Sequence, residues 1–116
     1  MTSNNSLQIA MAATEAFRKI DPNIGAQTVV VFLTVASRDG EIMVSDLERL
    51  CGLTRTGASH NFKLLSNKKL KDGRTGYGLV EERRNPTDER VKMLRLTATG
   101  KYMIANITQA IEEAKR

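Results

Sequence analysis

The most constraining feature of the chain is a glycine set between two helix-opening residues: Ser45-Asp46-Leu47-Glu48, then Gly52, then Leu53-Thr54. A serine hydroxyl can accept a hydrogen bond from an unpaired amide of a first helical turn, and Glu48 three residues on completes a reciprocal pair. A helix is therefore predicted to open at Ser45. It carries Leu47 and Leu50 inward and must close by Gly52, because glycine takes the left-handed conformation that ends a helix without steric cost. Thr54 is a second N-cap, and the spacing of Ala58, Phe62 and Leu65 predicts a helix from Arg55 to about Lys69. These signals put two short helices side by side across a tight turn.

Other elements flank the pair. Leu7, Ala10, Met11, Ala13, Phe17 and Ile20 fall at the three-four spacing of an amphipathic helix, which Asp21-Pro22 ends. From Ala26 to Ser37 the chain is so apolar that period alone does not separate helix from strand; the length, about three turns, favours helix. Asp39-Gly40 stops this element, and residues 41–44 suffice only for a turn or one edge strand. The segment Lys71 to Gly78 holds three glycines and reads as a loop. It follows a helix and leads into a strand, the reverse of a phosphate-cradling glycine loop. Leu79 to Arg84 and Val91 to Leu96 then pair as a hairpin around Asn85-Pro86-Thr87-Asp88. Val91, Met93, Leu94 and Leu96 supply its apolar contacts, while Arg83, Arg84, Arg90, Lys92 and Arg95 make it strongly basic. Thr97 caps a last helix with Met103, Ile104, Ile107, Ala110, Ile111 and Ala114 along one face, and Lys115-Arg116 suits the negative end of its dipole.

A chain of 116 residues fits one compact domain. Its polar N-terminus lacks the basic start and apolar run of a secretory signal, and no stretch reaches the ~18 apolar residues of a membrane span. A cytoplasmic protein without membrane association is expected. One cysteine, Cys51, and one histidine, His60, exclude an internal disulfide and leave too few ligands for a structural zinc. Neither metal nor cofactor is implied. Paired carboxylates and nucleophile-base arrangements are also missing, which argues against an enzyme.

The net charge of +5 is unevenly spread: residues 1–52 carry four basic and six acidic side chains, whereas residues 53–98 carry eleven basic against five acidic. Such a block fits a polyanion partner, and equally a merely soluble basic surface. The helix-turn-helix reading tips the balance, because the second helix of that motif enters the major groove, where base edges differ. Residues 54–61 are short or polar and turn apolar only at Phe62. Gly57, at a cost of roughly 1 kcal/mol in a helix, either clears the way for DNA or eases packing.

From Ile24 onward the sequence resembles the MarR family of winged helix-turn-helix transcription regulators. The residues that carry the resemblance are Ser45-Asp46-Leu47, Leu53-Thr54, Ala58-Ser59, Phe62 and Leu65. Above all they are residues 84–91, Arg-Asn-Pro-Thr-Asp-Glu-Arg-Val, followed by Leu94-Arg95-Leu96-Thr97 and Gly100-Lys101. The resemblance implies an α+β, mainly α fold with terminal dimerisation helices. By the same resemblance, Thr54, Arg55, Thr56, Ser59, His60 and Lys63 would face the major groove. Arg90 would enter the minor groove, oriented by Asp88, while Arg83, Arg84 and Lys92 would hold phosphates. Two departures from the family stand out: Lys69 to Tyr77 is an extra loop, and the chain is shorter at both ends, which implies a smaller dimer interface.

The organisation expected is one domain over 1–116. Within it, 1–23 form an arm and dimerisation helix, 24–97 the winged helix-turn-helix, and 98–116 a C-terminal dimerisation helix. The apolar stripes of the terminal helices suit either the monomer core or, preferably, a homodimer seam. The function expected is sequence-specific binding of double-stranded DNA by a homodimeric transcription regulator; the residues name no small-molecule effector. The alternative is a winged-helix adaptor that binds protein and not DNA. Cys51 reads as structural, with oxidant sensing as the sharper option, and His60 as a plain polar contact or a pH-sensitive one.

Overall fold

A computed structural model of the chain describes residues 2–38 and 41–116. The expected stop at Asp39-Gly40 lies outside the described residues. Five helices and three strands follow in the order α1 (Thr2–Arg18), α2 (Ala26–Ser37), β1 (Ile42–Met43), α3 (Val44–Cys51), α4 (Arg55–Leu65), β2 (Val80–Asn85), β3 (Asp88–Leu96) and α5 (Ala98–Ala114). They make two compact units: residues up to Ile24 with Tyr102–Arg116, and Gly25–Lys101.

In the larger unit, α2 is a helix because its buried residues Thr28, Val31, Phe32 and Val35 recur at helical spacing. They meet Leu47 of α3, Ala58, Phe62 and Leu65 of α4, Ile42, Val80 and Leu94 of the sheet, and Leu79 just before β2 in a single core. The sheet is antiparallel in the order β1-β3-β2. Alternation puts Leu94 on the core face, fully buried, and leaves Val91 and Met93, expected to carry the apolar contacts, half-buried. Across the α2–α4 seam, the buried Asn61 side chain accepts a hydrogen bond from the Thr28 hydroxyl (2.6 Å). It donates to Gln27 Oε1 and to the Gly57 carbonyl (both 2.8 Å). A buried amide so satisfied fixes the rotation of α4 on α2.

Several boundaries differ from those read in the sequence, each for a tertiary reason. The helix α3 opens at Val44, with Met43 as N-cap and no side-chain cap bond, so Ser45 is not the cap. Met43 is already held extended by pairing with Met93, and the sheet sets the helix start in place of a hydroxyl. Gly52 closes α3 at φ 64°, as its position demands. Helix α4 stops at Leu65 and not near Lys69, because the loop folds back on it. The amides of Tyr77 and Leu79 donate to the carbonyls of Leu64 (2.8 Å) and Leu65 (2.7 Å), which otherwise would carry the helix onward. Strand β3 begins at Asp88, three residues early, since Asn85 pairs with Asp88 around Pro86-Thr87. The Asn85 side chain accepts from the amide (2.9 Å) and hydroxyl (2.7 Å) of Thr87 to shape that turn.

In the smaller unit, α1 starts at Thr2, ahead of its apolar pattern, and ends at Arg18. Ala16, Phe17 and Ile107 are buried there, so the two terminal stripes do contribute to the core of the chain. Leu7 and Met11 lie on the opposite side of α1 and stay exposed, as does Tyr102 on α5. No helix of the described residues is long and apolar enough to cross a membrane.

Candidate nucleic-acid interface

Helix α4 begins with Thr54 as N-cap, its hydroxyl accepting from the Gly57 amide at 3.0 Å. A Cβ on Gly57 would come within 3.2 Å of that same oxygen. Glycine here therefore leaves room for the cap, a cause internal to the chain that the sequence alone did not separate from clearance for DNA. At 3.6 residues per turn, Arg55, Thr56, Ser59, His60 and Lys63 share one face of α4, opposite the buried Ala58, Asn61, Phe62 and Leu65. Arg55, Thr56, His60 and Lys63 are exposed and Ser59 is half-buried. Of the polar run 54–61, Asn61 is turned inward. Neither Arg55 nor Lys63 is in an ion pair among the described residues. The first turn carries no acidic residue, so the positive end of the helix dipole is unopposed.

The hairpin supplies the second part. At its tip, Asp88 accepts from the backbone amide of Arg90 (3.1 Å) and from its guanidinium (Nε 3.1 Å, Nη2 3.4 Å). Those bonds, the side-chain one first, hold the Asp88 carboxyl below its usual range and leave it charged. The Arg90 side chain is oriented by the brace and still 91% exposed. Arg84 is exposed and, among the described residues, reaches only the Glu89 carbonyl, at 3.4 Å.

Nearer its base the hairpin is less basic than its composition implied. Glu41 engages Arg83 with both carboxylate oxygens, Glu81 pairs with Arg95 (2.8 Å), and Glu82 lies between Lys68 (3.2 Å) and Lys92 (3.8 Å). Arg83 and Lys92 are thus partly occupied by carboxylates from elsewhere in the sheet region, whereas at the outer end Arg90 pairs only with Asp88 of its own turn and Arg84 is in no ion pair among the described residues. The Glu41–Arg83 contact joins residues 42 positions apart, and no local pattern signals it. Cys51 is half-buried with its thiol 3.5 Å from the Thr34 hydroxyl. No group of three or more potential metal ligands exists among the described residues.

No protein-family model and no curated protein sequence matches the chain. Solved structures do. It is similar to RV1404 from Mycobacterium tuberculosis (TM-score 0.75, 16% identity, covering 97% of this chain and 70% of that one). It is similar also to MepR of S. aureus in a structure described as a MepR–DNA complex (TM-score 0.75, 17% identity, 96% and 82% covered). A third likeness is to the transcriptional regulator Tm0710 from Thermotoga maritima (TM-score 0.73, 17% identity, 97% and 70% covered). At these identities the likeness establishes the fold, and the fold is the winged helix-turn-helix expected from the MarR-like motifs.

Proposed function

We propose that the chain is a sequence-specific regulator of transcription that binds double-stranded DNA as a homodimer. The N-terminal half of α4 enters the major groove and reads it with Thr54, Arg55, Thr56, Ser59, His60 and Lys63. Arg90, braced by Asp88, enters the neighbouring minor groove, and Arg84 and Lys92 hold phosphates. The observation that carries the reading is the Arg90 tip: a guanidinium fixed by its own turn yet almost wholly exposed, on a fold shared with a protein solved on DNA. A narrow minor groove concentrates negative potential, which favours an arginine so presented. The exposed Leu7 and Met11 of α1 and Tyr102 of α5 support a dimer seam on the smaller unit.

Selection of bound sequences from a random duplex pool tests this directly. An enriched palindrome establishes sequence reading and two-fold symmetry together, and affinity for it should fall steeply as salt rises. A pool that emerges unenriched sinks the reading in favour of the protein-binding adaptor.

A further inference from the structure

One ion pair in the sheet spans all three strands. The ladder between β1 and β3 consists of Ile42↔Leu94 and Met43↔Met93, and a strand this short is marginal without further support. Pairing places Met43, Met93 and Arg83 in one row across the sheet. By two-residue alternation, Glu41 and Arg95 share the face of that row, while Ile42, Leu94 and Val80 point to the core. Arg83 on β2 therefore reaches over β3 to Glu41, the residue before β1, and grips it with Nε and Nη2. Such a two-pronged contact needs the planar fork of arginine. The hydrogen bonds from Arg83 draw the Glu41 carboxyl down, and the charges of Arg83 and Arg95 act in the same direction against partial desolvation. Side-chain exposure is 37% for Arg83 against 91% for Arg90, so the two arginines of one hairpin are differently committed. Finally, β1 runs straight into α3, whose N-cap has no side-chain bond, so whatever holds β1 also holds the start of the helix pair.

We infer that Glu41 and Arg83 form a positioning clamp, which fixes the hairpin against the opening of α3 and withholds Arg83 from the phosphate backbone. The affinity part of its test rests on the DNA-binding reading above; the exchange part does not. The variants are Glu41→Gln, Arg83→Gln and their combination, with Arg83→Lys retaining the charge but not the fork. In the free protein, hydrogen exchange at the β1 amide that donates to β3 should speed up in all four, with the double variant no worse than either single. Against the selected duplex, each should bind severalfold more weakly with an unchanged slope of log affinity on log salt. A phosphate ligand behaves otherwise: its removal lowers that slope by about one. Unchanged exchange in β1, or a slope reduced for Arg83→Gln alone, overturns the clamp. Should the parent protein bind no duplex, the DNA-binding reading fails and the exchange measurements still decide the clamp.

Discussion

Two turns interrupt the basic half of the chain, the hairpin tip at Asn85–Asp88 and the longer excursion over residues 66–79, and they are anchored to the body in different ways. The tip holds itself by side chains: Asn85 shapes the turn, and Asp88 fixes Arg90 while leaving it in solvent. The longer loop repeats that brace at its own far end, where Asp72 accepts from the amide (3.0 Å) and guanidinium (2.7 Å) of Arg74, but main chain anchors it to the body. Four of its amides, from Gly76 to Leu79, donate to the carbonyls of Lys68, Leu64, Ser66 and Leu65, while Leu70 and Arg74 close the far end at 2.7 Å. A segment satisfied by its own side chains can project from the body; one satisfied by helix carbonyls must lie against it.

The difference is sharpest at Gly76. A Cβ there would stand 2.0 Å from the Ser66 carbonyl oxygen and 2.5 Å from that of Lys63, both backbone atoms with nowhere to move. Gly76→Ala should therefore lower stability by about 3 kcal/mol or more, read as a shift in urea midpoint. A shift near zero would mean that the loop does not rest on α4. The corresponding change at the tip acts on affinity and spares the fold. Arg90→Ala should weaken duplex binding about tenfold or more with an unaltered midpoint. Equal binding by variant and parent would remove the tip from the interface. Between the two lies Thr97, whose hydroxyl donates to the Gly78 carbonyl (2.6 Å) and accepts from the Gly100 amide (3.0 Å), tying the loop exit to α5. Thr97→Val should cost about 1 kcal/mol in the same urea titration, and no cost at all would show the tie to be idle.

The contrast also explains what could be read from the chain beforehand. The tip was legible because its causes are local: turn formers at 85–88 and an aspartate two residues before an arginine. The same holds for the Thr54 and Thr97 caps and for the glycine end of α3. Illegible features have partners distant in sequence. Ser45 has every local mark of a cap, yet pairing of Met43 with Met93 overrides it. Asn61 reads as one more polar residue of a groove-facing helix, and only Thr28 and Gln27, more than thirty positions away, reveal it as a buried tie. Arg83 likewise gives no local sign of its partner Glu41, 42 positions away.

The smallest expected effect discriminates best, because composition alone argues for the opposite. Lys69, Lys71 and Arg74 are exposed on the longer loop, with Asp72 already taken by Arg74. Three cations in six residues should count as phosphate ligands if charge decided the matter. Position argues otherwise. The Leu79 amide is 2.7 Å from the Leu65 carbonyl, so the loop sits where the end of α4 meets the start of β2. From that junction α4 runs back to Arg55 over about 15 Å, and β2 runs out to Asn85 over about 17 Å. A duplex meeting both Arg55 and Arg90 meets the two far ends of these elements. The triple change of Lys69, Lys71 and Arg74 to Gln should therefore alter affinity less than about twofold and leave the salt slope in place. Three lost phosphate contacts would lower the slope by nearly three units. A fall of that size would mean that the duplex follows the loop, and that the main-chain anchoring serves binding as directly as the brace at Arg90.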